Sequence, residues 1–241
     1  MKPVAPICRL AMLLCSVALT LTLRAETVDL SAHVKLTGSR GANHSTRSSS
    51  ADVVIWLTSL RETESIPAPR APQRYTLEQK DKQFTPHVLV VPTGSSVDFP
   101  NLDPFYHNVF SLFNGKRFDL GLYEAHTTRA VRFDRDGVSY IFCNIHPEMG
   151  AVVISLSTPY FGVSTPDGSL MIHNVPPGSY RLNIWAENVP ADRLNALSRV
   201  VEVSPSNTQL GNFELQASGD IMAHHQNKFG EDYKPEPKKP Y

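Results

Sequence analysis

Short apolar runs that alternate at period two, each cut off by proline or glycine, restrict this chain more than any other feature. Val28–Leu36 alternates apolar and polar residues, the pattern of a half-buried strand. Asp52–Thr58, Val88–Val91, Val97–Phe99, Phe118–Leu122, Arg129–Phe133, Val138–Phe142 and Ala151–Leu156 are further strand candidates, and Pro92-Thr-Gly-Ser and Asp134-Arg-Asp-Gly137 are turns between them. After residue 158 the same grammar continues. Pro166-Asp-Gly168 and Pro176-Pro-Gly178 punctuate strands at Leu170–Ile172 and Tyr180–Trp185, followed by Val200–Val203 and Phe213–Leu215. The 19 Pro and 13 Gly are what so many turns require, and residues 75–157 hold no amphipathic helix of useful length. The expectation is an all-β chain of sandwiches or barrels. With 41% hydrophobic and 19% charged residues it can bury a core, which excludes wholesale disorder and a polytopic membrane protein.

The first 25 residues read as an address. Lys2 and Arg9 precede Leu10–Leu23, which runs without a charge but falls short of the ~20 residues of a membrane-spanning helix. A signal peptide over 1–25, cleaved after Ala25, is therefore expected, with export to the periplasm or an equivalent compartment and no membrane span afterwards. Cleavage would remove Cys8 and Cys15 and leave Cys143 as a lone thiol, unusual in an exported chain unless it is buried or bound. The formal net charge is zero, so nothing electrostatic argues for a nucleic-acid partner. The remaining organisation is read as N-terminal strands and a Pro-rich linker over 26–74, a strand-rich block over 75–157, a second strand set over 158–216, and a polar mobile tail over 217–241.

The chemistry concentrates in Cys143-Asn-Ile-His146-Pro-Glu-Met149, directly after the strand Val138–Phe142, and in His107 upstream. One thiolate, two imidazoles and a thioether make the donor set of a trigonal Cys-His-His copper site with a weak axial Met. A cysteine at a strand end is held by the sheet. Two three-residue steps then turn His146 and Met149 back toward the same point, and His107 must come from a neighbouring strand. Each residue alone has a bland reading: a lone Cys is usually a small buried hydrophobe, and a Met beside a His is usually core. All four in order, in an exported chain that would keep no second cysteine after cleavage, point to one mononuclear copper ion. Zinc fits less well, because Met is a poor fourth ligand for it. His224-His225 reads as a solvated pair. Asp103 and Glu148 either shape a docking surface or are merely solvated.

These residues resemble the cupredoxin family, near plastocyanin and amicyanin. The resemblance is carried by Val91-Pro-Thr-Gly-Ser-Ser-Val-Asp-Phe-Pro-Asn101, His107-Asn108-Val109 and Asp136-Gly-Val-Ser-Tyr-Ile-Phe-Cys143 within residues 80–157, and the short Cys-x-x-His-x-x-Met spacing is more like amicyanin. It implies a Greek-key β-sandwich, with His107, Cys143, His146 and Met149 as ligands and Asn108 as the neighbour that ties the ligand loops. Thr165–Trp185 is similar to the carboxypeptidase-regulatory, transthyretin-like sandwich, a smaller module. Residues 28–58 either open that module, with the copper block inserted, or extend the copper block itself.

The expected function is an exported blue-copper electron carrier rather than an enzyme, because a four-ligand ion leaves no position for a substrate. Electrons would pass at the edge of His146, where Pro104, Phe105 and Pro147 form an apolar surface for a transient protein redox partner. A copper-delivery protein and an accessory module of a larger redox complex are the alternatives.

Overall fold

The computed structural model describes residues 26–38, 49–61, 73–112, 115–218 and 225–233. Residues 1–25, read as a signal peptide, and most of the Pro-rich linker lie outside them. The strands in chain order begin with β1 (Val28–Gly38) and β2 (Val54–Ser59). Ten follow: β3 (Arg74–Thr76), β4 (Glu78–Lys80), β5 (Gln83–Thr85), β6 (Val88–Pro92), β7 (Ser96–Pro100), β8 (His107–Ser111), β9 (Phe118–Tyr123), β10 (Thr128–Arg132), β11 (Gly137–Phe142) and β12 (Gly150–Leu156). The last set is β13 (Phe161–Val163), β14 (Ser169–Val175), β15 (Gly178–Trp185), a helix α1 (Ala191–Leu197), β16 (Arg199–Val203) and β17 (Gln209–Ala217). The all-β expectation holds. The one short helix among the described residues escaped the period reading because only Leu194 of its seven residues is buried, too little to print a stripe.

Pairing separates two bodies of strands. β1 pairs antiparallel with β14 and parallel with β17, and β2 pairs antiparallel with β13 and β15, so both early strands are completed by strands from beyond residue 158. Their sheets, ordered β14-β1-β17 and β13-β2-β15-β16, enclose a core of Leu30, Val34, Ile55, Leu57, Leu182 and Phe213. Turn chemistry shapes this body locally. At Gly168 the backbone has φ +89, and a Cβ there would run into the carbonyl oxygen of Val34, so Pro166-Asp-Gly168 closes only with glycine at its end.

Residues 73–156 form the other body, termed central, and the first is termed the outer body. A five-stranded sheet ordered β6-β12-β11-β8-β9 faces a three-stranded sheet ordered β10-β7-β3, with the β4-β5 hairpin beside them. Leu77, Val97, Phe99, Phe133, Ile141 and Val153 fill the space between.

The five-stranded sheet is covered on both faces. Along β12, Ala151 and Val153 enter the core of the central body, while Val152, Ile154 and Leu156 enter the core of the outer one. That double burial explains why Ala151–Leu156 reads as a continuous run rather than an alternating one. Tyr140 on β11 meets Trp185 with ring centroids 6.5 Å apart, and His87 Nε2 lies 2.9 Å from a Glu187 carboxylate oxygen across the same junction.

Residues 225–233 depart from the mobile-tail expectation. They lie against the end of the five-stranded sheet at Phe142–Asn144, and His225, read as half of a solvated pair, stacks on Phe142. Among the described residues no helix is long and apolar enough to cross a membrane.

Candidate metal centre

The central body brings two strand ends together. β11 and β12 form a hairpin whose connection is Cys143–Met149, closed by the Cys143 N–H donating to the Met149 carbonyl (3.3 Å) and the Met149 N–H donating to the His146 carbonyl (3.1 Å). β8 lies beside β11, with Phe110 opposite Phe142, and begins at His107. One end of one sheet therefore carries Cys143, His146 and His107.

Cys143 Sγ is 3.7 Å from His107 Nδ1 and 3.7 Å from His146 Nδ1, and the two nitrogens are 3.1 Å apart. A point equidistant from the three atoms lies about 2.0 Å from each, the length of a first-row metal–imidazole bond. Cys143 and His107 are wholly buried, and His146 retains 8% exposure. Met149 is wholly buried on the same connection.

The tautomer of His107 follows from a residue the sequence left undecided. Asp103 is buried, and its carboxylate lies 2.8 Å from His107 Nε2 while accepting the N–H groups of Asp81 (2.7 Å) and Lys82 (3.0 Å). Burial pulls this carboxyl up, but the hydrogen bonds from His107, Lys82 and Asp81 outweigh it and hold it below the usual carboxylate range. An ionised carboxylate only accepts, so the His107 proton sits on Nε2 and the Nδ1 lone pair faces Cys143 and His146. The docking and solvated readings of Asp103 both give way to this one. Its sequence signal was the i,i+4 spacing to His107, preceded by Asn101, whose Oδ1 accepts the Asp103 N–H (3.1 Å).

Burial pushes the Cys143 thiol up, and the N–H groups of Asn108, Ile145 and His146 pull it back only in part. A thiol so placed ionises when a cation sits beside it. The donor set therefore fits a soft-to-borderline ion: one polarisable sulfur, one fixed lone pair and a second imidazole nitrogen, all in a dry pocket. Asn108 also donates from Nδ2 to Asp119 Oδ1 (2.7 Å), tying the start of β8 to β9.

Around His146 several apolar side chains are exposed, with the Lys82 ammonium 5.9 Å from the centre of the Phe105 ring. The Phe105 ring lies 5.6 Å from the His146 ring and 5.2 Å from that of His107, and Pro104 and Pro147 are exposed beside it. Leu102, Tyr106 and Ile145 extend the patch with exposures of 42%, 54% and 37%. The sequence reading missed these three because single exposed apolar residues carry no signal until the fold gathers them. Glu148 is exposed on the same connection.

No protein-family model matches the chain, and no curated protein matches it. Solved structures overlap it in part. A purple cupredoxin from Nitrosopumilus maritimus is 22% identical over 34% of this chain and 99% of its own, with a TM-score of 0.31. An amicyanin mutant in the Cu(I) state is 14% identical over 44% of this chain and 99% of its own, with a TM-score of 0.33. The copper-containing nitrite reductase from Thermus scotoductus SA-01 is 22% identical over 34% of this chain, with a TM-score of 0.33, and the overlap spans only 22% of that enzyme.

Proposed function

We propose that the central body is a mononuclear copper centre that carries single electrons, with His107, Cys143 and His146 as the strong ligands and Met149 as the weak axial one. Bound there, copper would supply a one-electron couple between Cu(II) and Cu(I). The observation that carries the reading is the convergence of two imidazole nitrogens and one sulfur on a single buried point.

The chain's own residues supply the rest. Asp103 fixes the His107 tautomer, the hairpin fixes the spacing from Cys143 to Met149, and the surrounding core excludes water. Donors held at one end of a single five-stranded sheet move little between charge states, which favours electron passage over release of the ion. That burial is the reason to rank electron transfer above copper delivery. His146, the one donor residue that reaches the surface, is the exit, and Pro104, Phe105 and Pro147 with Leu102, Tyr106 and Ile145 are the contact surface for a transient redox partner. The protein acts outside the cytoplasm, where its lone thiol is protected by the ion, and it is not an enzyme. The outer body, completed by β1 and β2, serves as a transthyretin-like support into which the copper block is inserted.

The test is an absorption spectrum of the copper-loaded protein. An intense visible thiolate-to-Cu(II) band, bleached by ascorbate and restored by air, is expected. Its absence, or its persistence in Cys143→Ser, overturns the reading.

A further inference from the structure

The copper reading leaves the polar segment 225–233 without a role, although its contacts are selective. The Tyr233 hydroxyl donates to the carbonyl of Cys143 (2.9 Å). The Lys228 N–H donates to Asn144 Oδ1 (2.9 Å), and Lys228 Nζ donates to Asp119 Oδ2 (2.7 Å). The His225 ring lies flat on Phe142, with centroids 3.9 Å apart and planes 11° from parallel, and its Nε2 is 2.9 Å from the Tyr233 oxygen.

The segment is also knit to itself. Asn227 Oδ1 accepts the N–H groups of Phe229 (2.9 Å) and Glu231 (3.1 Å), and the Asn227 N–H donates to the Glu231 carbonyl (2.9 Å). It is an ordered turn laid on the sheet. A polar stretch with no purpose there would satisfy the same groups in water and keep its chain entropy.

What it touches is one functional set. Phe142, Cys143 and Asn144 are the consecutive residues that deliver the thiol. Asp119, held by Lys228, accepts from Asn108, whose own N–H hydrogen-bonds the Cys143 sulfur. The segment thus holds the end of β11 directly and the start of β8 through Asp119 on β9.

We propose that residues 225–233 are a strap that positions Cys143, with Tyr233 and Lys228 as positioning residues acting through the Cys143 carbonyl, the Asn144 side chain and the Asp119–Asn108 pair. The consequence for the metal rests on the copper reading, whereas the mechanical part holds in the metal-free protein.

The full-length protein is compared with Tyr233→Phe, Lys228→Gln and Lys228→Arg, with Lys35→Gln in the outer body as control. In metal-free protein, Tyr233→Phe and Lys228→Gln should speed amide hydrogen exchange across residues 143–149 by about three- to tenfold, the worth of one hydrogen bond, and leave β1 and β17 unchanged. With Cu(II) added, the same two variants should shift the thiolate band and lose metal to a chelator about three- to tenfold faster. Lys228→Arg and Lys35→Gln should match the parent. Unchanged exchange over 143–149 in both variants overturns the strap, as does an equal rise throughout the molecule. A local exchange change with an unmoved band and unmoved metal loss overturns the positioning of the thiol. A parent protein with no thiolate band overturns the copper reading, and the exchange measurement then decides the strap alone.

Discussion

At the scale of single residues, Asp103 does three jobs with one carboxylate: it accepts two turn amides and holds the His107 proton. Asp103→Asn keeps the size but puts an NH2 group where an acceptor is needed. It should weaken copper binding about 10- to 100-fold in chelator competition. It should also lower stability by about 1–3 kcal/mol in urea titration, since a buried donor loses its partner. Equal affinity in the variant would mean that something other than this carboxylate orients His107. Met149 makes a separate case. Met149→Gln should leave copper bound but lower the reduction potential, measured by voltammetry, because a weak axial donor tunes the ion more than it holds it. An unmoved potential would assign Met149 to core packing.

At the scale of elements, the β4-β5 turn is the most constrained feature near the site. Asp81 and Lys82 have φ 54 and 55, so both central residues of a two-residue hairpin are left-handed. Neither is glycine, and the left-handed region costs about 1–2 kcal/mol for a residue with a Cβ. The amides offset part of this by pointing at Asp103. Lys82→Gly should therefore raise the urea midpoint modestly, whereas Lys82→Val should lower it by more than about 1 kcal/mol and loosen His107 along with the turn. If both variants matched the parent, the turn would not be under strain. The β11–β12 hairpin shows the complementary case. Its strands and its Cys-x-x-His-x-x-Met connection were legible, because strand alternation and donor spacing are local.

At the scale of the whole molecule, the five-stranded sheet serves two cores. Ile154 is buried on the face toward the outer body. Ile154→Ala should cost about 2–5 kcal/mol, and because β12 is shared, far-UV and copper-band melting should move down together. Separate transitions would show that the bodies unfold independently. The His87–Glu187 pair spans the same junction. Burial pulls the His87 imidazole down, but the Glu187 carboxylate more than offsets it and leaves its pKa raised above 6.5. A raised folded-state pKa stabilises fully below the unfolded value and is lost as pH rises through the folded one. The midpoint advantage of the parent over His87→Gln should thus be largest near pH ~5.5 and shrink on the alkaline side of neutrality. An advantage that stays constant across that range would show that the pair is not ionic.

The sequence alone determined what depends on neighbours along the chain: the strands, the turns at Pro166-Asp-Gly168 and Pro176-Pro-Gly178, and the thiol, imidazole and thioether spaced along one connection. Tertiary structure decided what depends on partners far apart. β1 meets β17 nearly the whole chain later, with Val34 beside Phe213, and no local pattern encodes that register. Asp103 changed from an undecided acid to the holder of His107 because its meaning lies in the turn it faces. Residues 225–233 read as mobile because their own composition is polar. Their order comes from acceptors at Cys143, Asn144 and Asp119, which the fold alone places within reach.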